Sequence, residues 1–221
     1  MSRRRAPRQA EAERNDRALL RAAREVLAAD GAHASVAAIA ARAGVGIGTL
    51  YRRYRTKEEL FQRLAELALD SWNEAAEKGL AEDDPWEGLT SFVIACVESG
   101  QGSLAPLAGT IDITEEMRAK NERSDELLAA LVERAHAAGV LRPDVTPVDI
   151  ALLIEQLGRF PVLDQLRAQG RDDLVDLAVA ARRRVIAVVL DGLRPCHTQP
   201  LPGDPPSDQL FTERWARHSA R

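Results

Sequence analysis

The chain has 221 residues, 45% of them hydrophobic and 29% charged, which excludes a low-complexity polymer. No stretch approaches the ~18 uninterrupted apolar residues of a membrane span. The net charge of −4 is unevenly spread: residues 1–57 carry 13 Lys/Arg against 5 Asp/Glu (net +8), and residues 58–221 carry 17 against 29 (net −12). A basic first quarter on an acidic body suits a polyanion held at one end of the molecule, the alternative being arginines spread over solvated helix faces.

Helical spacing dominates from the start, and no run alternates with period two. A first helix is predicted from about Asp16 to Asp30, with Leu19, Ala22, Ala23, Val26 and Leu27 on one side and Gly31 as its stop. Ser35 is a good N-cap for a short second helix carrying Val36, Ile39, Ala40 and Ala43, which Gly44 ends. A third short helix spans about Ile47 to Tyr54. Thr56 then caps a fourth, with Glu59 placed to reach back to it, and Leu60, Phe61, Leu64, Leu67 and Ala68 continue to about Lys78. Asp84 and Pro85 open a further helix. A break from Gly100 to Gly109 holds Pro106, and a long helix is predicted from about Thr114 to Ala138, closed by Gly139. Apolar helices at about Pro147–Arg159 and Arg171–Gly192 follow. Five of the eleven prolines lie beyond Leu193, so that tail is expected to be mostly disordered.

The expected fold is all-α: a basic flexible arm (1–15), a three-helix helix-turn-helix domain (16–57), a second helical domain (58–193) and a Pro-rich tail (194–221). A helix-turn-helix needs two short helices crossing at a tight turn, so that the second can enter a major groove. Small alanines allow close approach and Gly44 supplies the turn. Val36, Ile39, Val45 and Leu50 can form the buried seam, leaving Thr49, Tyr51, Arg52 and Arg53 outward. Such an Ala-rich hairpin can also be purely structural.

The fixed positions favour the DNA reading. Gly31, Ser35, the run Ile39-Ala40-Ala41-Arg42-Ala43-Gly44-Val45, the run Gly48-Thr49-Leu50-Tyr51-Arg52-Arg53-Tyr54 and then Lys57-Glu58-Glu59-Leu60 resemble the N-terminal domain of the tetracycline-repressor (TetR) family over residues 17–64. The resemblance implies phosphate contacts from Thr49, Tyr51 and Lys57, whose hydroxyl, phenol and ammonium suit an anion, with Ser35 at the head of the hairpin and Arg53 beside them. It implies base reading by Arg52, Ala37 against a thymine methyl, and close backbone approach at Gly48. Two departures stand out. Gly46-Ile47 replaces polar residues common in the family, so a phosphate contact and a base contact are expected to be missing, and Tyr54 replaces Phe. Arg3, Arg4, Arg5 and Arg8 form an arm suited either to a minor groove or simply to solvent.

For the remainder, the resemblance implies a C-terminal domain that binds a small molecule and pairs two subunits on a palindromic operator of double-stranded DNA. Leu152, Leu153, Ile154 and Leu157 with Leu177, Val185, Val188, Val189 and Leu190 suit a dimer bundle or ordinary core; the resemblance implies the homodimer. Arg182, Arg183 and Arg184 read as a solvated face or as ion-pair partners. Trp72, Phe92, Cys96, Met117 and Leu128, with Gln156 as polar anchor, are the expected walls for a small, mostly apolar effector, though each also suits plain core. Nothing near Cys96 in sequence would depress a thiol pKa, which argues against an oxidation sensor.

Other classes of function fit less well. His33, His136, His197 and His218 are scattered, with no nucleophile elbow, phosphate-cradling loop or metal pair, so an enzyme, a metal site or a cofactor is not expected. Two cysteines, Cys96 and Cys196, form no disulfide framework, and the basic start has no apolar run behind it, so a reduced, cytoplasmic protein without a secretory signal is expected. A helical protein-interaction module is the alternative to a transcriptional repressor.

Overall fold

The computed structural model describes residues 17–27, 30–196, 199–209 and 213. Nine α-helices follow one another among them: α1 (17–27), α2 (Val36–Ala43), α3 (Ile47–Arg53), α4 (Lys57–Ala81), α5 (Pro85–Glu98), α6 (Glu115–Ala137), α7 (Pro147–Gly158), α8 (Pro161–Ala168) and α9 (Val175–Asp191). Tight 3-10 segments at Gly31–His33, Gln101–Leu107 and Asp172–Leu174 link some of them. No strand occurs among the described residues.

Local chemistry explains most boundaries. Ser35 Oγ accepts from Ala38 N–H at 3.0 Å, satisfying an orphan donor at the head of α2. Gly44 closes that helix at φ 67°, in the left-handed region where a side chain would strain the backbone. Thr56 caps α4 through Glu59 N–H at 3.0 Å, while the Glu59 carboxylate accepts from Arg55 N–H at 2.6 Å, one residue earlier than a capping box requires. Asp84 takes the N–H groups of Trp86 and Glu87 with Pro85 in the first turn of α5, and Thr114 caps α6. A reciprocal capping box stands at α7, between Thr146 and Asp149.

These helices bury two hydrophobic clusters, and α4 runs through both. The first gathers Leu19, Leu20, Ala23 and Leu27 of α1 with Val36, Ile39, Leu50 and Tyr54, then Leu60 to Ala68 of α4. It also takes in Leu104, Leu107, Ile111 and Met117, so this core is not confined to residues 16–57. The second surrounds α5: Phe92, Val93, Cys96 and Val97 meet Ala76 of α4, Leu127 to Ala135 of α6, Ile150 and Ile154 of α7, and Ile186 and Leu190 of α9. Polar contacts run along the α4–α6 seam, including Ser124 Oγ to Asn73 Oδ1 at 2.7 Å and Lys120 Nζ to Asp70 Oδ1 at 2.9 Å.

Three sequence expectations change. Helix α8 stands between Pro147–Arg159 and Arg171–Gly192, where no helix was predicted; its first-turn Pro161 reads equally as a breaker or as a helix start. Arg182 is no plain surface charge: its Nη2 donates to the carbonyls of Val97 at 2.9 Å and Leu157 at 3.0 Å, tying α9 to the ends of α5 and α7. The start of the Pro-rich tail is held on the domain, because Leu201 N–H donates to Asp144 Oδ2 at 2.8 Å and Arg142 reaches the Gln199 carbonyl at 3.0 Å.

Candidate nucleic-acid interface

Helices α2 and α3 meet through Val36, Ile39, Ala40 and Leu50, all buried, with Val45 half-buried between them. Burying those residues turns the opposite faces outward. Ser35 and Ala37 at the start of α2 are exposed, as are Gly48, Thr49, Tyr51, Arg52 and Arg53 of α3 and Lys57 at the head of α4. Tyr51 leaves 48% of its surface open, an exposure that apolar packing does not reward.

Local contacts shape this surface. Arg52 Nη2 donates to Thr49 Oγ1 at 3.1 Å, one turn back along α3. The Arg53 guanidinium lies over the Tyr54 ring at 5.3 Å, and the Lys57 ammonium over Phe61 at 5.0 Å. Arg42 of α2 is ion-paired with Glu25 of α1, joining the first two helices on their outer side. Donors and cations therefore share the exposed face of a seven-residue helix that is narrow enough for a major groove about 12 Å wide. The arm residues Arg3, Arg4, Arg5 and Arg8 lie outside the described residues.

Ile47 escaped the sequence reading as a contact residue. It heads α3 with 45% of its surface exposed, between the bare backbones of Gly46 and Gly48 and one turn before Tyr51. The signal was an apolar residue at the position where an outward polar one was expected.

The six ligand-wall candidates are not all brought together. Trp72 and Phe92 meet edge to face with ring centroids 5.0 Å apart, and Cys96 and Leu128 belong to the same buried cluster. Met117 sits in the first cluster instead. Gln156 is exposed: α7 buries Ile154, and a residue two positions on points about 200° away around the helix, so Gln156 is not the polar anchor. Burial pushes the Cys96 thiol up to about 12, against a reactive thiolate.

A second buried polar group is Arg24 of α1, 9% exposed, which donates from Nη1 to the Ser99 carbonyl at the end of α5. Desolvation lowers its pKa to about 10, and the neighbouring Cys96 thiol opposes that only in part. The pattern did hold a clue, since Leu20, Arg24 and Leu27 follow i, i+4, i+7 and place the arginine on the apolar stripe.

Among the described residues no helix is long and apolar enough to cross a membrane, and no group of His, Cys, Asp or Glu is arranged to hold a metal ion.

Known proteins resemble this chain along most of its length. Residues 19–64 match the bacterial regulatory proteins of the tetR family, and residues 84–195 match the C-terminal domain of SbtR-like transcriptional regulators. The HTH-type transcriptional repressor LfrR of Mycolicibacterium smegmatis is 34% identical over 141 residues, which span 61% of this chain and 70% of that protein. Among solved structures, the TetR transcriptional regulator SCO0520 from Streptomyces coelicolor is similar with a TM-score of 0.54 and 26% identity, over 82% of this chain and 99% of that one. The TetR transcription regulatory protein from Mycobacterium vanbaalenii gives a TM-score of 0.54 and 29% identity over 84% and 98%.

Proposed function

Because this chain belongs to the tetR family of DNA-binding transcriptional regulators, we propose that it is a repressor, binding a palindromic operator as a homodimer and released by a small, mostly apolar effector. The observation that carries the DNA reading is the exposed face of α3, where Thr49, Tyr51, Arg52 and Arg53 stand outside the buried Val36–Ile39–Leu50 seam with Lys57 beside them.

Thr49, Tyr51 and Lys57 are assigned to phosphates, with Ser35 and Arg53 in support, because hydroxyl, phenol and cation fix register without reading sequence. Arg52 is assigned to a base edge, where a guanidinium pairs bidentately with guanine. Its bond to Thr49 Oγ1 already holds it along the helix. Ala37 and Ile47 are assigned to thymine methyls, the apolar feature of a base edge in the major groove. Gly48 leaves room for a phosphate against the backbone, and Arg3, Arg4 and Arg5 are assigned to the adjoining minor groove.

Pairing is assigned to α9 with α7. Leu177, Val185 and Val188 of α9 are 67%, 52% and 70% exposed, and a shallow groove lined by Ala181, Arg184, Val185, Val188 and Val189 runs along the same helix. Apolar side chains so open on a helix suit a self-complementary two-fold contact. Trp72, Phe92, Cys96 and Leu128 are assigned to the effector's apolar walls, and Met117, which belongs to the first cluster, is left out of them. The protein acts in the cytoplasm as a regulator and not as an enzyme.

Selection of duplexes from a random pool, followed by gel shift on the selected sequence and a scrambled one, tests the reading. A two-fold symmetric site bound far more tightly than the scramble is expected. Equal binding to both would overturn it in favour of a non-specific polyanion binder.

A further inference from the structure

A guanidinium has five N–H donors and a permanent charge, so burial is tolerable when acceptors and a counter-anion surround it. Arg24 is 9% exposed, and its Nη1 reaches the Ser99 carbonyl, yet Nε and Nη2 are buried with no hydrogen-bond partner. Among the described residues no carboxylate pairs with it, and the ionisable group beside it is the buried Cys96 thiol, whose pKa burial raises. Trp72 Nε1 is a second buried donor without a partner.

Both groups lie along the line where the two hydrophobic clusters meet. Arg24 rises from α1 between Leu20, Ala23 and Leu27 of the first cluster and touches the end of α5, whose Cys96 and Val97 belong to the second. On α4, Ala68 belongs to the first cluster and Trp72 packs against the second. Trp72 meets Phe92, one turn before Cys96, while Arg24 reaches Ser99; from Phe92 to Ser99 is about 10 Å at ~1.5 Å per residue. Seams between two cores are favoured places for small-molecule sites.

We propose that Arg24 anchors the acidic head of the effector, an apolar molecule with an ionised carboxylate whose body lies along the Phe92–Cys96 side of α5. This rests on the reading that the C-terminal part binds a small apolar effector. A carboxylate supplies two acceptor oxygens and the missing negative charge in one group, whereas a neutral carbonyl leaves the charge uncompensated. The site also joins effector to DNA. Arg24 sits on the helix that fills the core beneath α2 and α3, and an acid on its unfilled Nε and Nη2 pulls on the same guanidinium whose Nη1 holds α1 to α5 through the Ser99 carbonyl. Acid binding thereby biases the position of the whole DNA-binding unit, and linkage requires operator to weaken acid binding by the same factor.

The test uses the full chain and isothermal titration calorimetry with two probes of one length, octanoate and 1-octanol, at neutral pH. Wild type is expected to bind octanoate about tenfold or more tightly than the alcohol, as a charge-assisted bond at a buried site implies. Arg24→Met, similar in length and uncharged, is expected to bind both alike, and Arg24→Lys to keep part of the preference. Equal affinities in wild type would remove the acid anchor while leaving the apolar effector in place. Binding of neither probe would overturn the anchor and the apolar-effector reading together. Should Arg24→Met fail to fold, the wild-type comparison repeated at a pH below the probe acid's own pKa decides the point. The preference must then shrink, and an unchanged preference overturns the proposal.

Discussion

Gly79 of α4 and Gly88 of α5 meet backbone to backbone: a methyl on Gly79 would lie 2.5 Å from the Gly88 carbonyl oxygen and 3.3 Å from Leu131 Cδ2. A Gly-to-Ala change inside a helix normally gains about 1 kcal/mol in propensity. Here the obstacle is backbone, which cannot swing aside as a side chain does. Overpacking costs about 1–3 kcal/mol and more against a rigid neighbour, so the clash outweighs the gain. Gly79→Ala is therefore expected to lower stability in urea denaturation. An unchanged or raised midpoint would show that the two helices separate freely.

Positioning and reading separate on the α3 face. Lys57→Ala should weaken binding about equally on operator and scrambled duplex, and lower the salt slope by roughly one. Arg52→Ala should cost about 1–3 kcal/mol on operator and relax preference at one base pair. It also frees Thr49 Oγ1 from its 3.1 Å partner. Fluorescence anisotropy across a salt series measures both. Equal losses on the two duplexes for Arg52→Ala would make it another phosphate contact.

Ile47 tests methyl reading with a change on the DNA. Replacing the thymines of the operator one at a time by uracil removes a methyl and nothing else. One such replacement should weaken wild type by about 0.8 kcal/mol, the value of a methyl-sized group leaving apolar contact. In Ile47→Ser that sensitivity should vanish. Wild type indifferent to every uracil would leave the 45% exposed side chain outside the groove.

Val188→Asp places a charge on the most open apolar position of α9, 70% exposed, so the isolated fold should be barely affected. If α9 pairs two subunits, the buried charge has no partner and the dimer dissociates. Light scattering behind size-exclusion should then report a monomer, with circular dichroism unchanged. A variant that stays dimeric places the contact on another face.

Asp144 pins the tail. Its carboxylate accepts from Arg142 Nε at 2.6 Å and from Leu201 N–H at 2.8 Å, and Arg142 above all holds it well below the usual carboxylate range. A depressed folded pKa adds stability that is fully present above the unfolded value of about 3.9 and is lost as pH falls further below it. The Leu201 amide should therefore stay protected from hydrogen exchange down to about pH 4. Asp144→Ala should expose it at neutral pH. Protection unchanged in that variant would mean that other contacts hold the tail.

What the residues alone determined is the chemistry that acts within one helical turn. Ser35, Thr56, Asp84 with Pro85, Thr114 and Gly139 mark ends because a cap bonds to a residue two or three positions away, and the period of Val36, Ile39 and Ala40 shows which face is buried. The exposed set on α3 follows from the same periodicity. What the tertiary structure decided is which distant surfaces meet. Met117 joins the first core instead of the Trp72–Phe92 pair, and Gln156 turns to solvent from a helix whose apolar run marks several faces. Arg182, in a row of three arginines, becomes a tie to α5 and α7. Gly79 and Gly88 are a crossing point, and Arg24 carries a buried charge to Ser99, 75 positions along the chain. Arg24 apart, whose place on an apolar stripe is legible, nothing local distinguishes these residues from their neighbours. Their roles depend on helix crossing angles and on what lies opposite, and both emerge only when helices far apart in sequence pack into two shared cores.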